Sequence, residues 1–203
     1  MNRNKAAILY ILFIFISACA ASTSKMITPN LIEEAHKHLH QEKYLETIQF
    51  LESNLPKDLS EKDRSTESID LYFCGYNKLA LAYLHSGKAD KAIIALNKCK
   101  QVLPLRSESY YLLGQAYFYV RNFKASIDNF EKGICLDPKA ADAQDMSLLM
   151  MSYLKIKNRE KALETFNTIR NRFETTTKDT EFSESDNTIW NRFETTTKKV
   201  CFS

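Results

Sequence analysis

The stretch YNKLALAYLHSGKADKAIIALNKCKQVLP (76–104) is restated as YYLLGQAYFYVRNFKASIDNFEKGICLDP (110–138), 34 residues further on. Tyr76 answers to Tyr110, Leu79 to Leu113, Ala80 to Gly114 and Tyr83 to Tyr117. Ala92 then answers to Ser126, Ile93 to Ile127, Leu96 to Phe130, Cys99 to Gly133 and Pro104 to Pro138. Large positions stay large and small ones small. A fixed period of this length marks a stacked array of helix pairs. Leu79, Ala80 and Tyr83 share one helical face, as do Ala92, Leu96 and Cys99, because their spacing is three to four residues. Each unit breaks near Gly87 or Arg121-Asn122, and Pro104 and Pro138 end the second helix by restricting the residue before them.

The pattern extends both ways. Leu31, Ala35, Ile48 and Leu51 match Tyr76, Ala80, Ile93 and Leu96 at an offset of 45, so Leu31 to Leu55 reads as a degenerate first pair. The surplus residues fall in Pro56 to Thr66, a polar surface loop, and Ser68 or Asp70 is the expected cap of the next helix. On the C-terminal side Met146, Leu149, Met150, Tyr153, Ala162, Phe166 and Ile169 repeat the third unit at an offset of 36. Met150 stands where a small residue is expected, which predicts helices set apart or tilted there. The four units lie near 31–55, 73–106, 107–140 and 143–173.

Composition narrows the function. Four glycines and four prolines in 203 residues leave little material for hairpins. Lys plus Arg is 28 against 25 Asp plus Glu, and without Arg3 and Lys5 the balance is 26 to 25. A nucleic-acid binder would normally carry a basic stripe. There is no phosphate-binding loop, no G-x-S-x-G and no H-E-x-x-H. No nucleophile–base pair can be assigned from spacing, so the chain reads as a non-enzyme without a cofactor. His36, His38 and His40 form an H-x-H-x-H run; 36 and 40 share a helical face. Two histidines with no nearby Cys and no convincing carboxylate partner read as a solvated face rather than a metal site.

Residues 1–18 have a basic start and an apolar run from Ala6 to Ala18, the signature of a secretory signal. The run ends Ile16-Ser17-Ala18-Cys19, which resembles the bacterial lipobox. The resemblance implies cleavage before Cys19 and its lipidation. Ala20 after the cysteine implies sorting to the outer membrane, with residues 19–30 as a tether reaching about 20 Å from the periplasmic membrane face. Two alternatives stay open: Ala18-Cys19-Ala20 also fits an ordinary signal-peptidase site, giving a soluble secreted protein, and the uncharged run from Ala6 to Ser24 is long enough for an uncleaved anchor.

The tail repeats at another period. Residues 167–183 return as 187–203, differing only where Arg170 becomes Trp190, Asp179 Lys199, Thr180 Val200 and Glu181 Cys201. By composition 174–203 reads as a disordered polar tail. The alternative is a short capping helix built on Ile189, Trp190 and Phe193, since an array otherwise exposes its last apolar face.

The units at 76–104 and 110–138 resemble the tetratricopeptide repeat: an aromatic residue, Leu three on, a small residue next, Tyr three further, then a small residue, an aromatic or Leu, and Pro. Tyr110 to Tyr117 with Ser126, Phe130, Gly133 and Asp137-Pro138 is a close match. The resemblance implies an all-α, right-handed superhelical array of four helix pairs whose first helices line a concave, protein- or peptide-binding groove. Carried onto this sequence, the groove presents Asn77, Lys78, Leu81, Leu84 and His85, then Glu108, Tyr111, Leu112, Gln115, Phe118 and Tyr119. The fourth unit adds Leu148, Met151, Leu154 and Lys155. Apolar residues off a packing face mark a binding surface, unless the tail or a neighbouring repeat covers them. The family's carboxylate clamp would fall on Ile32, His36, Lys78, Glu108 and Leu112, where Lys78 alone is basic and Glu108 repels an acidic ligand. Fold and leader together point to a membrane-tethered scaffold of a cell-envelope complex, of the pilus-biogenesis or outer-membrane-assembly kind. A soluble secreted or periplasmic binding protein is the alternative.

Cys99 sits at a packing position and reads as a small core residue. Antiparallel packing would also bring it near Cys74, so a Cys74–Cys99 disulfide is the alternative in an oxidising compartment.

Overall fold

A computed structural model describes residues 27–59 and 61–174. Eight α-helices follow one another: α1 Pro29–His40, α2 Tyr44–Asn54, α3 Thr66–His85, α4 Ala89–Val102, α5 Ser107–Tyr119, α6 Phe123–Leu136, α7 Ala143–Lys155 and α8 Arg159–Ile169. A 3₁₀ turn, Glu61–Asp63, lies before α3, and a π turn, Arg170–Glu174, follows α8. The fold is an all-α array of antiparallel pairs.

The four intra-pair turns have one geometry. Glu42, Gly87, Arg121 and Lys157 hold φ of 56°, 71°, 62° and 63°. They are spaced by the same 45, 34 and 36 residues that relate the core positions. The N–H after each reaches back to the helix: Lys43 to the His38 carbonyl, Lys88 to Tyr83, Asn122 to Tyr117 and Asn158 to Tyr153. This is the Schellman arrangement, which satisfies orphan carbonyls through a left-handed residue. One position of the four is glycine, so the other three carry a steric cost for closing the same turn.

Small residues let the pairs close. A Cβ on Gly114 would stand 2.7 Å from the Phe130 ring, and one on Gly133 would stand 3.0 Å from Tyr111. Phe130 and Leu113 are fully buried as a result. Ser126 is also fully buried; its hydroxyl donates to the Gly114 carbonyl at 2.8 Å and meets Ser152 Oγ at 3.1 Å. A small polar side chain thus crosses the interface without leaving a group unpaired. Met150 is buried too. The apolar interior divides along α5. Leu113 and Ala116 belong to a cluster running back to Ala35, and Tyr111 to one running on to Ile169.

First helices pack on successive first helices, α1 on α3, α3 on α5 and α5 on α7; second helices meet chiefly the first helices on either side. Closer approach on the first-helix side makes it the inner face.

Three local expectations are corrected. The cap of α3 is Ser65, whose Oγ accepts from Ser68 N at 3.1 Å, not Ser68 or Asp70. The helix starts at Thr66, ahead of the matched unit, because Tyr72 and Phe73 in its added turns are buried. The helix α1 begins at Pro29, inside the stretch read as tether, with Thr28 as its cap. The Cys74–Cys99 disulfide is absent: both are free. With α3 lengthened, Cys74 lies in mid-helix on its exposed side, while Cys99 points inward and donates to the Phe73 carbonyl at 3.6 Å.

Candidate peptide-binding groove

Turning α3, α5 and α7 inward leaves a concavity between them. Leu81, Leu84 and His85 come from α3; Glu108, Tyr111, Leu112, Gln115 and Tyr119 from α5; Ala140 and Asp142 from the α6–α7 loop; Gln144 and Asp145 from α7. It measures about 390 Å³ and opens to solvent. Its floor is apolar at Leu81, Leu84 and Leu112, and Tyr119 stands at its side 52% exposed.

The polar wall comes from a helix start. Asp142 caps α7 by accepting from Asp145 N at 2.8 Å, and Asp145 returns a carboxylate oxygen toward Asp142 N in a capping box. Gln115 on α5 donates to Asp145 Oδ1 at 2.9 Å and so links the two inner helices across the groove. Asp145 is only 5% exposed. Burial raises its pKa to about 6, opposed by the Gln115 hydrogen bond and helped by the nearby Asp142 charge. Glu108 and Asp142 are exposed beside it. None of the residues lining the concavity is Lys or Arg.

The structure distributes the sequence-assigned groove residues unevenly. It brings together Leu81, Leu84, His85, Glu108, Tyr111, Leu112, Gln115 and Tyr119. Tyr111 is not a free anchor: it is 4% exposed, its ring lies over Gly133, and its hydroxyl donates to the Asp137 carbonyl at 2.6 Å. Burial raises that hydroxyl's pKa to about 12. Phe118 packs edge-on against Tyr119 and Phe123, 6.0 and 5.6 Å between centroids, and is half-buried against the core rather than lining the concavity. Lys78 turns to the first repeat, where its Nζ lies 3.3 Å from His36 Nδ1. That charge is the main cause of the lowered His36 pKa. Asn77, Met151, Leu154 and Lys155 do not line the concavity, and Leu148 is buried. His36 and His40 do share a face, Nε2 to Nε2 at 2.9 Å. Among the described residues no group of three or more His, Cys, Asp or Glu converges as metal ligands. Cys19 and the tail residues Ile189, Trp190 and Phe193 lie outside the described residues.

Sequence reasoning missed the acidic wall. Asp142 and Asp145 belong to a D-x-x-D start of α7, a readable cap signature. Its position in the groove follows from the two residues added after Pro138, which the spacing alone does not orient.

The tetratricopeptide repeat profile matches residues 75–102 and 107–139. Those two stretches, 61 of the 203 residues, are similar to the tetratricopeptide repeat. No curated protein sequence matches it. Among solved structures, residues 41 to the end of MamA from Desulfovibrio magneticus RS-1 superpose with a TM-score of 0.58 at 18% identity. That match covers 74% of this chain and 76% of the other. The TPR domain of Sgt2 from Aspergillus fumigatus superposes with a TM-score of 0.52 at 21% identity, over 68% and 86%. These likenesses establish the tetratricopeptide-repeat fold. The matched profile covers the second and third pairs; the turn geometry and cores place the first and fourth in the same array.

Proposed function

We propose that this tetratricopeptide-repeat chain is a protein-interaction scaffold that holds a peptide segment in the groove between α3, α5 and α7. The observation that carries this is an open apolar floor, Leu81, Leu84 and Leu112 with Tyr119 beside it, on inner helices. Aromatic and aliphatic anchors in a concave, rimmed patch are what peptide recognition uses. The acidic wall disfavours ligands that end in a carboxylate.

The leader adds a location to this reading. Lipidation at Cys19 would tether the array to an envelope membrane, where a scaffold for a multiprotein assembly acts at fixed height. A soluble exported binding protein is the second reading, favoured by the Ala18-Cys19-Ala20 sequence. Incorporation of labelled palmitate, lost in Cys19→Ser, separates the two; unlabelled chain in the medium supports the soluble form. The groove itself is tested by placing a photo-crosslinking phenylalanine derivative at position 119 in cells. Adducts with defined partner peptides are expected there and not at exposed Ile94 on α4. Equal labelling at both positions would remove the groove assignment.

A further inference from the structure

The described chain ends beside the groove. Arg172, in the turn after α8, donates to the carbonyls of Pro138 and Lys139 at 2.7 and 2.6 Å. The same loop supplies Ala140 and Asp142 to the groove wall. The chain therefore leaves Glu174 from a point tied to the groove's own rim, with residues 175–203 still to follow.

We propose that the groove's occupant is the chain's own segment Asn187–Lys199. This rests on the reading of the concavity as a peptide site and names its ligand. Charge is complementary: no lysine or arginine lines the groove, Asp142 and Glu108 are exposed on its wall, the latter 3.9 Å from Arg106 outside it, and Asp145 is buried behind them, whereas the segment carries Arg192, Lys198 and Lys199 against Glu194. Apolar content is complementary as well, Ile189, Trp190 and Phe193 facing a floor of leucines beside Tyr119.

The duplication supplies an independent argument. The described part of the first copy, 167–174, belongs to the end of the array, where Ile169 is buried and Arg172 is bonded to the α6–α7 loop. The second copy keeps the Ile and Arg but replaces exposed Arg170 by Trp190, and Asp179 by Lys199. It also replaces Thr180 by Val200 and Glu181 by Cys201. The copy has become more apolar and less acidic, which suits an acidic groove with an apolar floor.

Reach is sufficient. The connection from Glu174 to Asn187 spans about 20 Å as a flexible coil and at most about 45 Å extended. Tethering at this length gives an effective concentration in the millimolar range, so even a weak segment stays docked. Other ligands would then have to displace it.

Trp190 is the sole tryptophan of the chain, so its fluorescence reads the docking directly. In the full chain we expect emission to the blue of a free 187–199 peptide and several-fold weaker acrylamide quenching, both independent of protein concentration. Glu108→Lys with Tyr119→Ser should return Trp190 to the spectrum of the free peptide, with helical circular dichroism unchanged. Lys198→Glu with Lys199→Glu, which leaves the array untouched, should move it the same way. A free-peptide spectrum in the unaltered chain overturns the proposal. So does a blue-shifted Trp190 that ignores both double variants, or a shift that grows with concentration, which would place the tail of a second copy in the groove. If Trp190 is free while position 119 still cross-links to partner peptides, this inference fails and the groove reading stands. If position 119 captures nothing either, both fail.

Discussion

Tyr153 donates its hydroxyl proton to Glu131 Oε1 at 2.5 Å, joining α7 to α6. Lys161 from α8 closes on the same oxygen at 2.6 Å and lies over the Tyr153 ring. The arrangement recurs two repeats earlier, where Tyr83 bonds Glu52 and Lys91 lies 3.7 Å from that carboxylate. The hydrogen bond from Lys161, then that from Tyr153, holds the Glu131 pKa below its ordinary value. A depressed carboxylate stabilises the fold above its unfolded pKa, and this is lost as pH falls through the folded one. Tyr153→Phe should cost about 1–2 kcal/mol at neutral pH, since a hydrogen bond to a charged group is lost. Lys161→Met should cost less, its amine being solvent-exposed. Urea denaturation of both single variants and the double measures the coupling; strict additivity would show that no shared network exists.

Gly114→Ala places a methyl carbon against the Phe130 ring. Helix propensity favours alanine by about 1 kcal/mol, but overpacking costs about 1–3 kcal/mol. A net loss of up to about 2 kcal/mol is expected. Gly133→Ala meets Tyr111 at 3.0 Å and should cost less. Thermal melts that rank the two variants the other way would refute this packing account.

The left-handed turn residues offer a gain. Arg121→Gly and Lys157→Gly should each raise stability by up to about 1 kcal/mol, by removing the strain of a side chain at positive φ. Part of that gain is cancelled by the freer unfolded chain. The reverse change, Gly87→Ala, should lower stability, although open space surrounds the added carbon. Chemical denaturation midpoints distinguish these directions.

Cys99 and Cys74 should differ as thiols. Burial pushes the Cys99 thiol up to about 12, whereas Cys74 and Cys135 are exposed. Iodoacetamide on the native protein should alkylate 74 and 135, and reach 99 only after unfolding. Native labelling at Cys99, or a disulfide-linked peptide containing it, would contradict the packing.

Asp145 gives a pH signature of opposite sign to Glu131. Its folded pKa of about 6 exceeds the ordinary 3.8, so the folded state binds more protons between those values. Stability should fall as pH rises through that window, by about 2–3 kcal/mol, and level off above it. In Asp145→Asn that part of the slope should vanish; an unchanged profile would mean that Asp145 titrates as it does in the unfolded chain.

The architecture was legible because the repeat writes core positions as a period: Leu79, Ala80, Leu96, Gly114 and Phe130 occupy the packing sites their spacing implies. Boundaries were less so. The extra turns of α3 rest on Tyr72, whose hydroxyl reaches the inserted loop, and on Phe73, whose ring lies against the Arg106 guanidinium of the next unit. Tyr72 and Tyr76, for instance, donate to the carbonyls of Lys57 and Pro56 at 3.1 and 2.8 Å. In the groove, Leu81, Leu84, Leu112 and Tyr119 follow from helix phase. Tyr111 and Phe118 do not, because a long aromatic side chain can turn back into the core while its Cα faces the groove. The loop-borne wall of Asp142 and Asp145 depends on a two-residue insertion whose conformation no period specifies.

The Glu–Tyr–Lys clasp seals the first junction and the last, but at the middle one its positions hold Asn97, Tyr117 and Ala125, lacking both carboxylate and amine. The array is therefore clasped at its two ends and unclasped at its waist. The groove straddles that waist, drawing Leu81 and Leu84 from one side and Leu112 and Tyr119 from the other. At the waist the ties are instead Arg106 to Asp70 at 3.3 Å and the Lys100 amine over the Tyr110 ring, so the two sides of the groove are joined by a different set of residues from those that join the ends.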